Sequence, residues 1–147
     1  LVSCCDMAVA SERASFSLSE VKIGLVPATI SPYVLRAIGE RAARRYFTTA
    51  ERFSAQEAHR LGLVSEVVAE DVLDDTLETL LAALLQNGPG AVRQAKQLIQ
   101  DIAGQEISPA LVEGTCELIA GIRTSEEGQE GLGAFLNKRQ PSWLNEL

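Results

Sequence analysis

The sequence predicts an α/β fold that is mostly α, because a short N-terminal part has extended patterning and the remainder has helical patterning. Residues 14–20 alternate apolar and polar side chains with period two, which is typical of a strand. From residue 71 onward, apolar side chains recur at spacings of three and four, which is typical of helices that bury one face. The change between the two patterns falls near Val68.

Composition narrows the class of protein. The chain has 147 residues, 46% of them hydrophobic, and a formal net charge of −7. This apolar fraction excludes disorder, and the acidic balance argues against nucleic acid as a partner. No apolar run reaches the roughly 18 residues that a membrane-spanning helix needs, so no membrane association is expected. The first five residues lack the basic flank and cleavage site of a signal peptide. Three cysteines make no disulfide framework, so we predict a reducing, cytoplasmic location.

Charge divides the chain near Ser65. Residues 1–65 carry six acidic and eight basic side chains, whereas residues 66–147 carry fourteen acidic and five basic ones. The periodicity changes close to the same place, so the two parts of the chain differ in both charge and pattern.

The first region is expected to contain short helices. Residues 24–27 form a loop, and Ser31 followed by proline is typical of a helix start. Gly39 can end this helix in a left-handed conformation, and residues 40–48 then form a second, arginine-rich helix.

A capping box begins the next helix. Ser54 can accept from an early backbone N–H while Glu57 reaches back, and Gly62 ends the helix. Residues 63–68 then read as a short strand or an extended link.

The second region is expected to be helical throughout. Ser108 followed by proline starts one helix, and a capping box from Thr124 to Glu127 starts another. The predicted helices cover residues 71–86, 91–102, 108–123 and 124–137.

Metal chemistry is not predicted. His59 is the sole histidine, and it lies on a short capped helix without a recognisable nucleophile motif. The three cysteines, Cys4, Cys5 and Cys116, are interpreted as small core residues.

An arginine cluster has two interpretations. It could bind an anionic ligand such as a phosphate, or it could be a solvated helix face, which is the commoner situation. The second interpretation is favoured. The cluster comprises Arg36, Arg41, Arg44, Arg45 and Arg52.

Glu20 is the most suggestive single residue. In an extended segment, Phe16, Leu18 and Glu20 share one face, so a carboxyl group ends an apolar stripe. Loss of solvation around its charged form suits a group that exchanges protons near neutral pH. From pattern alone, however, a glutamate turned to water or paired with Arg13 or Lys22 is the commoner outcome.

Four stretches in colinear order resemble the enoyl-CoA hydratase/isomerase (crotonase) family over essentially the whole chain. The longest runs from Cys5 through Glu20 to the Gly-Leu-Val-Pro ending at Pro27, and the closing one is EGxxxFLxKRxPxW-like. Within the family, residues 27–34 look most like bacterial methylglutaconyl-CoA hydratase-type members. The four stretches are residues 5–27, 36–39, 54–64 and 125–143.

The resemblance implies a crotonase-like architecture. Residues 1–65 would be the tail of a ββα spiral core, and residues 66–147 a C-terminal helical oligomerisation region. The expected assembly is a homotrimer or a hexamer formed as a dimer of trimers. The expected partner is an acyl-CoA substrate, with no cofactor beyond the coenzyme A thioester itself and no metal.

The resemblance also implies roles for individual residues. Glu20 matches a glutamate that family hydratases use as the general acid at the α-carbon, while water adds at the β-carbon of a 2-enoyl-CoA thioester. Substrate-binding positions would be Val26, Pro27, Ala28, Phe135 and Lys138. On their own, Phe135 reads as core and Lys138 as a helix-terminal cation. Where many members carry a glycine run, residues 28–31 carry larger side chains that would narrow the acyl pocket.

Two alternatives to a hydratase stay open. In the family, a second glutamate and both oxyanion-hole N–H donors precede the position matching Leu1, so residues 1–147 are expected to be inactive by themselves. One alternative is an enoyl-CoA isomerase, in which Glu20 alone moves protons. The other is a non-catalytic oligomerisation fragment.

Overall fold

The computed structural model describes residues 1–145 and divides the chain into two compact units, Leu1–Thr79 and Leu80–Leu147. The first unit mixes strands with helices, and the second is helical. This agrees with the predicted mostly-α α/β class.

Two pairs of very short strands organise the first unit. Strand β1 (Val9–Ser11) pairs in parallel with β4 (Glu66–Val68), and β2 (Ser15–Phe16) pairs antiparallel with β3 (Phe53–Ser54). The expectation of an extended segment near residues 63–68 is therefore confirmed. The strand predicted over residues 14–20 is much shorter than expected, because only two of its residues have a partner strand.

Helix α1 (Ser31–Thr49) is interrupted at Gly39, whose φ of 75° and ψ of 162° are not helical. The prediction that Gly39 separates two helices is thus confirmed. The cap was predicted wrongly, because Ile30 occupies the N-cap position and the Ser31 hydroxyl donates to the Ala28 carbonyl at 2.9 Å.

Helix α2 (Ala55–Arg60) begins at the predicted cap, with the Ser54 hydroxyl accepting from the Glu57 N–H at 3.2 Å. The predicted return bond of the capping box is wrong, because the Glu57 carboxylate accepts from Arg60 and Tyr46 instead. The core of the first unit lies between α1, α2 and the strands. It consists of Ala10, Leu18, Val34, Ile38, Ala43, Tyr46, Phe53, Ala55, Ala58 and Val64.

The remaining helices follow the predicted order. They are α3 (Leu73–Leu85), α4 (Pro89–Ile102), α5 (Pro109–Thr124) and α6 (Glu126–Leu136). Short 3-10 helices cover Val2–Cys4, Glu20–Ile23, Glu70–Val72 and Ser142–Asn145.

One capping prediction in the second unit is wrong in register. The N-cap of α6 is Ser125, whose hydroxyl accepts from the Gly128 N–H at 3.1 Å. Glu127 does not close a capping box on its own helix. Its carboxylate accepts from the backbone N–H groups of Gly90 and Ala91 at the start of α4, at 2.8 and 2.7 Å.

The cysteines are not core residues. All three are free and exposed, so their interpretation as small buried side chains is wrong. Cys4 and Cys5 lie in and just after a 3-10 helix that buries no residue, and Cys116 lies on α5, which buries none either.

Candidate active site

Glu20 opens a single tight turn. It is the first residue of the 3-10 helix Glu20–Ile23, and its carbonyl accepts from the backbone N–H groups of Gly24 and Leu25. Gly24 closes the turn in the left-handed region, with φ of 75°, which a side chain would disfavour. The carboxyl group is therefore carried by a turn of defined geometry instead of a strand end.

The predicted face is nevertheless correct. Leu18 is buried and Phe16 and Glu20 are half-buried, whereas Ser17 and Ser19 are exposed. The alternation of burial continues past β2 without a partner strand, although Ser19, with φ of −95° and ψ of 0°, is not extended. Glu20 is thus less exposed than Ser17 and Ser19, as the predicted face requires.

The Glu20 carboxyl group lacks a hydrogen-bond partner. Among residues 1–145, its Oε2 is the one buried side-chain nitrogen or oxygen atom with no partner. The alternative pairing with Arg13 is wrong, because Arg13 donates to Glu70 at 2.5 Å. A buried polar atom without a partner costs free energy, and its retention points to a use other than stability.

The three substrate-binding positions in the first unit follow this turn directly. Val26 and Ala28 are exposed, and Pro27 between them is buried. The Ala28 N–H donates to the Val26 carbonyl at 2.8 Å, and the Ser31 N–H donates to the Pro27 carbonyl at 3.0 Å. These two bonds fold the segment around Pro27 and connect it to the start of α1.

Large apolar side chains around the turn are unusually exposed. Ile23 is 75% exposed, Leu25 59% and Val26 70%. Contiguous apolar exposure of this kind marks a surface that receives a ligand or another protein surface. The Glu20 turn therefore combines an unpaired carboxyl oxygen with an apolar surround.

A separate apolar groove of about 400 Å³ lies in the first unit. Leu18, Phe16 and Val34 contribute to its walls, but Glu20 does not. Leu18 thus lines the groove, and Glu20 follows it by two residues in the chain.

The other two predicted positions lie in the second unit, at the end of α6. Phe135 is 80% exposed, so its interpretation as a core residue is wrong. Lys138 lies beyond the helix with φ of 52°, and its backbone N–H donates to the Phe135 carbonyl at 3.2 Å. Both side chains are exposed, and the two residues lie three apart in sequence.

The arginine cluster is largely engaged in local contacts. Arg44 pairs with Glu40, and Arg45 donates to Glu51 through Nε at 2.5 Å. Arg52 donates to the Ser15 hydroxyl at 3.1 Å. These contacts support the interpretation of a solvated helix face for most of the cluster.

Sequence reasoning missed a polar network that joins α1 to α2. Glu57 accepts from Arg60 through both carboxylate oxygens and from the buried Tyr46 hydroxyl at 3.1 Å. The Arg60 hydrogen bonds are the main reason that the pKa of Glu57 is lowered to about 2. Burial, followed by the bond to Glu57, raises the pKa of Tyr46. The three-residue spacing of Glu57 and Arg60 was the available signal, but Glu57 was assigned to the capping box with Ser54 instead.

Neither a metal centre nor a membrane-spanning helix occurs in the part of the chain that the structure describes. No three histidine, cysteine, aspartate or glutamate side chains among residues 1–145 are arranged to hold a metal ion. None of the helices in that range is both long and apolar enough to cross a bilayer.

These features define a class of protein: an α/β protein in which a turn holds a partly buried, unpaired carboxyl group beside exposed apolar side chains. The chain belongs to the enoyl-CoA hydratase/isomerase family, whose pattern matches residues 1–146. The resemblance on which the site residues were assigned is therefore confirmed at the level of the family.

Individual relatives agree with this assignment. The crystal structure of an enoyl-CoA hydratase from Shewanella pealeana is 51% identical, with a TM-score of 0.91 over 97% of this chain and 53% of that chain. The mevalonyl-coenzyme A hydratase of Aspergillus fumigatus is 34% identical over 97% of this chain and 54% of the relative. The 2,3-dehydroadipyl-CoA hydratase of Escherichia coli is 30% identical over 95% of this chain and 54% of the relative. The chain thus spans about half the length of the relatives that it matches.

Proposed function

We propose that the full-length protein is an acyl-CoA hydratase, which adds water to a 2-enoyl-CoA thioester or catalyses the reverse dehydration. Family membership supports this proposal, as do relatives from Escherichia coli and Aspergillus fumigatus that are named as acyl-CoA hydratases. The cytoplasmic location stays a prediction.

The observation that carries the proposal is the unpaired Glu20 Oε2. A general acid must present a proton to a substrate atom, so its carboxyl group cannot be fully occupied by bonds within the protein. Glu20 meets this requirement, whereas Glu57 and Glu130, with several donors each, do not. In the proposed step the Glu20 carboxyl group protonates the α-carbon as the oxygen of water bonds to the β-carbon. The proton that this water releases would go to the second glutamate that the resemblance implies, at a position before the one matching Leu1.

Substrate contacts are proposed at two sets of residues. Val26, Pro27 and Ala28 would contact the acyl chain next to the Glu20 turn, where apolar exposure suits a hydrocarbon. Phe135 and Lys138 would contact the adenine and phosphates of the coenzyme A bound by a neighbouring subunit, through an aromatic face and a cation. No cofactor other than this thioester substrate is proposed.

The roles of the two regions and the assembly of the protein are proposed from the same resemblance. Residues 1–65 would carry the catalytic glutamate, and residues 66–147 would assemble three copies, or six as a dimer of trimers. The exposed apolar side chains of the second unit, such as Ile99 and Ile119 at 65% and 62%, support an assembly role.

The test is Glu20→Gln in the full-length protein, assayed with crotonyl-CoA and with a branched 2-enoyl-CoA. We expect kcat to fall by roughly 10²–10⁴-fold, because the amide keeps the size of the side chain but cannot donate an acidic proton. Glu12→Gln is the matched control, since Glu12 is exposed in the same segment of the chain. A decrease in kcat of less than about tenfold would exclude Glu20 as the proton donor.

Product analysis separates the hydratase from the two alternatives. A hydratase forms a 3-hydroxyacyl-CoA, whereas an isomerase only moves the double bond and consumes no water. A non-catalytic oligomerisation protein would form neither product, and acyl-CoA would not raise its melting temperature.

A further inference from the structure

A second site candidate lies away from the Glu20 turn, between α1 and α2. The two helices line a cavity of about 460 Å³, whose charged lining residues are Arg41, Arg45, Arg60 and the acid Glu57. The same cavity has an apolar part formed by Ile38, Ala42 and Leu61. Cationic donors and hydrocarbon therefore meet in one concave surface.

Two of the three guanidinium groups are held in place by acids but retain free donors. Arg45 uses Nε and Nη2 to bind Glu51, and Arg60 uses Nε and Nη2 to bind Glu57. In each case Nη1 donates to no residue within 1–145. The ion pairs orient these guanidinium groups and leave their Nη1 donors available. This orientation lowers the entropic cost of binding a ligand.

Tyr46, which also lines the cavity, adds to this orientation. The buried Tyr46 hydroxyl donates to Glu57 Oε1 at 3.1 Å, and the Arg45 guanidinium carbon lies 5.4 Å from the centre of the Tyr46 ring. Tyr46 therefore fixes the acid that holds Arg60 and also contacts Arg45. One buried side chain supports two of the three cationic groups.

Arg41 brings a third positive charge to the lining of the cavity. Its side chain forms no hydrogen bond or ion pair with the first 145 residues, unlike those of Arg44 and Arg45 on the same helix. Arg41 also lies four residues before Arg45, a spacing at which like charges repel. An anion in the cavity would relieve this repulsion and engage the free donors together.

We propose that this cavity binds the phosphate group of a small organic phosphate. The phosphate oxygens would accept from Arg41 and from the Nη1 groups of Arg45 and Arg60, since guanidinium forks match the geometry of phosphate. The organic part of the ligand would contact Ile38 and Leu61. The site is independent of the reaction proposed for Glu20.

The test compares Arg41→Gln with Arg36→Gln in the full-length protein, using phenyl phosphate as the probe in calorimetric titration at low salt. Both arginines are exposed on α1 without side-chain partners among the described residues, but only Arg41 lines the cavity. We expect saturable binding that Arg41→Gln weakens at least tenfold and Arg36→Gln leaves within twofold, because a hydrogen bond to a charged group is worth roughly that factor or more. Inorganic phosphate should bind several-fold more weakly than phenyl phosphate, since it cannot contact the apolar part.

Three results would overturn the proposal. The first is a lack of saturable phenyl phosphate binding by the unaltered protein. The second is an equal effect of the two substitutions, which would indicate general surface charge. The third is inorganic phosphate binding as tightly as phenyl phosphate, which would show that the cavity does not recognise an organic part of the ligand. Matching melting temperatures of the two variants serve as the check that both are folded.

Discussion

The two units differ in what stabilises them. Every residue of the hydrophobic core cluster lies between Ala10 and Val64 in the first unit. Among residues 80–145, Ala134 is the one buried hydrophobic residue. The first unit is therefore stabilised mainly by apolar burial, whereas the described part of the second unit is not.

Polar contacts take a larger share in the second unit. The Glu127 carboxylate binds two backbone N–H groups at the start of α4, and Arg139 binds Glu130 through two nitrogens. The Trp143 indole N–H donates to the Gln86 carbonyl at 3.3 Å. This difference in apolar burial between the units shows that amphipathic patterning specifies where helices form but not which surface their apolar faces will cover.

Phe53→Ala is expected to cause the largest loss of unfolding free energy, and it tests the role of apolar burial in the first unit. Phe53 is 6% exposed, and its ring centre lies 5.7 Å from that of Phe16 and 4.3 Å from that of Tyr46. Truncating a buried aromatic side chain typically costs about 3–5 kcal/mol of unfolding free energy, through lost burial and the cavity left behind. Urea unfolding followed by near-ultraviolet circular dichroism measures this loss.

Phe135→Ala is the matched substitution in the second unit. Since Phe135 is 80% exposed, its truncation should change the unfolding free energy of dissociated subunits by no more than about 0.5 kcal/mol. Comparable losses for the two variants would show that apolar burial does not distinguish the units as described.

Two glycines of the second unit should respond in opposite ways to substitution by alanine, with smaller changes in unfolding free energy. A Cβ on Gly128 would lie 2.1 Å from the Ile122 carbonyl oxygen, a backbone atom that cannot move without shifting the junction of α5 and α6. We expect Gly128→Ala to lower the unfolding free energy by about 2–3 kcal/mol. Trp143, the sole tryptophan of the 147 residues, gives a fluorescence signal for the transition.

Gly114→Ala is the control for this change. A Cβ on Gly114, in the interior of α5, would meet no atom within 4 Å. Alanine there should raise the unfolding free energy by about 0.5–1 kcal/mol, because it restricts the unfolded chain and favours the helix. If Gly114→Ala lowered the unfolding free energy as much as Gly128→Ala, the close contact at Gly128 would not be the cause of the loss.

Local signals explain which parts of the fold were predictable. The caps at Ser54 and Ser108 were correctly predicted because each bond joins residues three apart in sequence. The interruption at Gly39 was predictable for the same reason, since it depends on one residue's backbone freedom. Each of these features is decided within a single turn of chain.

The features that escaped prediction depend on partners distant in sequence. Glu127 binds Gly90 and Ala91 instead of its own helix, which no spacing within residues 124–127 could show. Glu20 was identified from its apolar neighbours and from the family resemblance. Its place on a 3-10 turn depends on β2 losing its partner strand after Phe16, which is a property of tertiary pairing.

The smallest effect concerns acid stability, and it compares one carboxylate in each unit. Hydrogen bonds from Arg139, followed by that from the Ser142 backbone, lower the pKa of Glu130 to about 2, as those from Arg60 do for Glu57 in the first unit. A carboxyl group whose pKa is lowered by folding stabilises the folded state above its unfolded pKa, near 4.5. That contribution should be lost as the pH falls from about 4.5 towards 2.

Glu130→Gln should therefore flatten the decline of unfolding free energy across this pH range when Trp143 fluorescence is followed. Glu113→Gln, on the exposed surface of α5, should leave the decline as it is in the unaltered protein. If Glu130→Gln kept the full slope, the pairs formed by Glu130 would contribute nothing net to the second unit. The polar share in that unit would then rest on other bonds, such as those of Glu127 to the start of α4, and the contrast with the first unit would weaken.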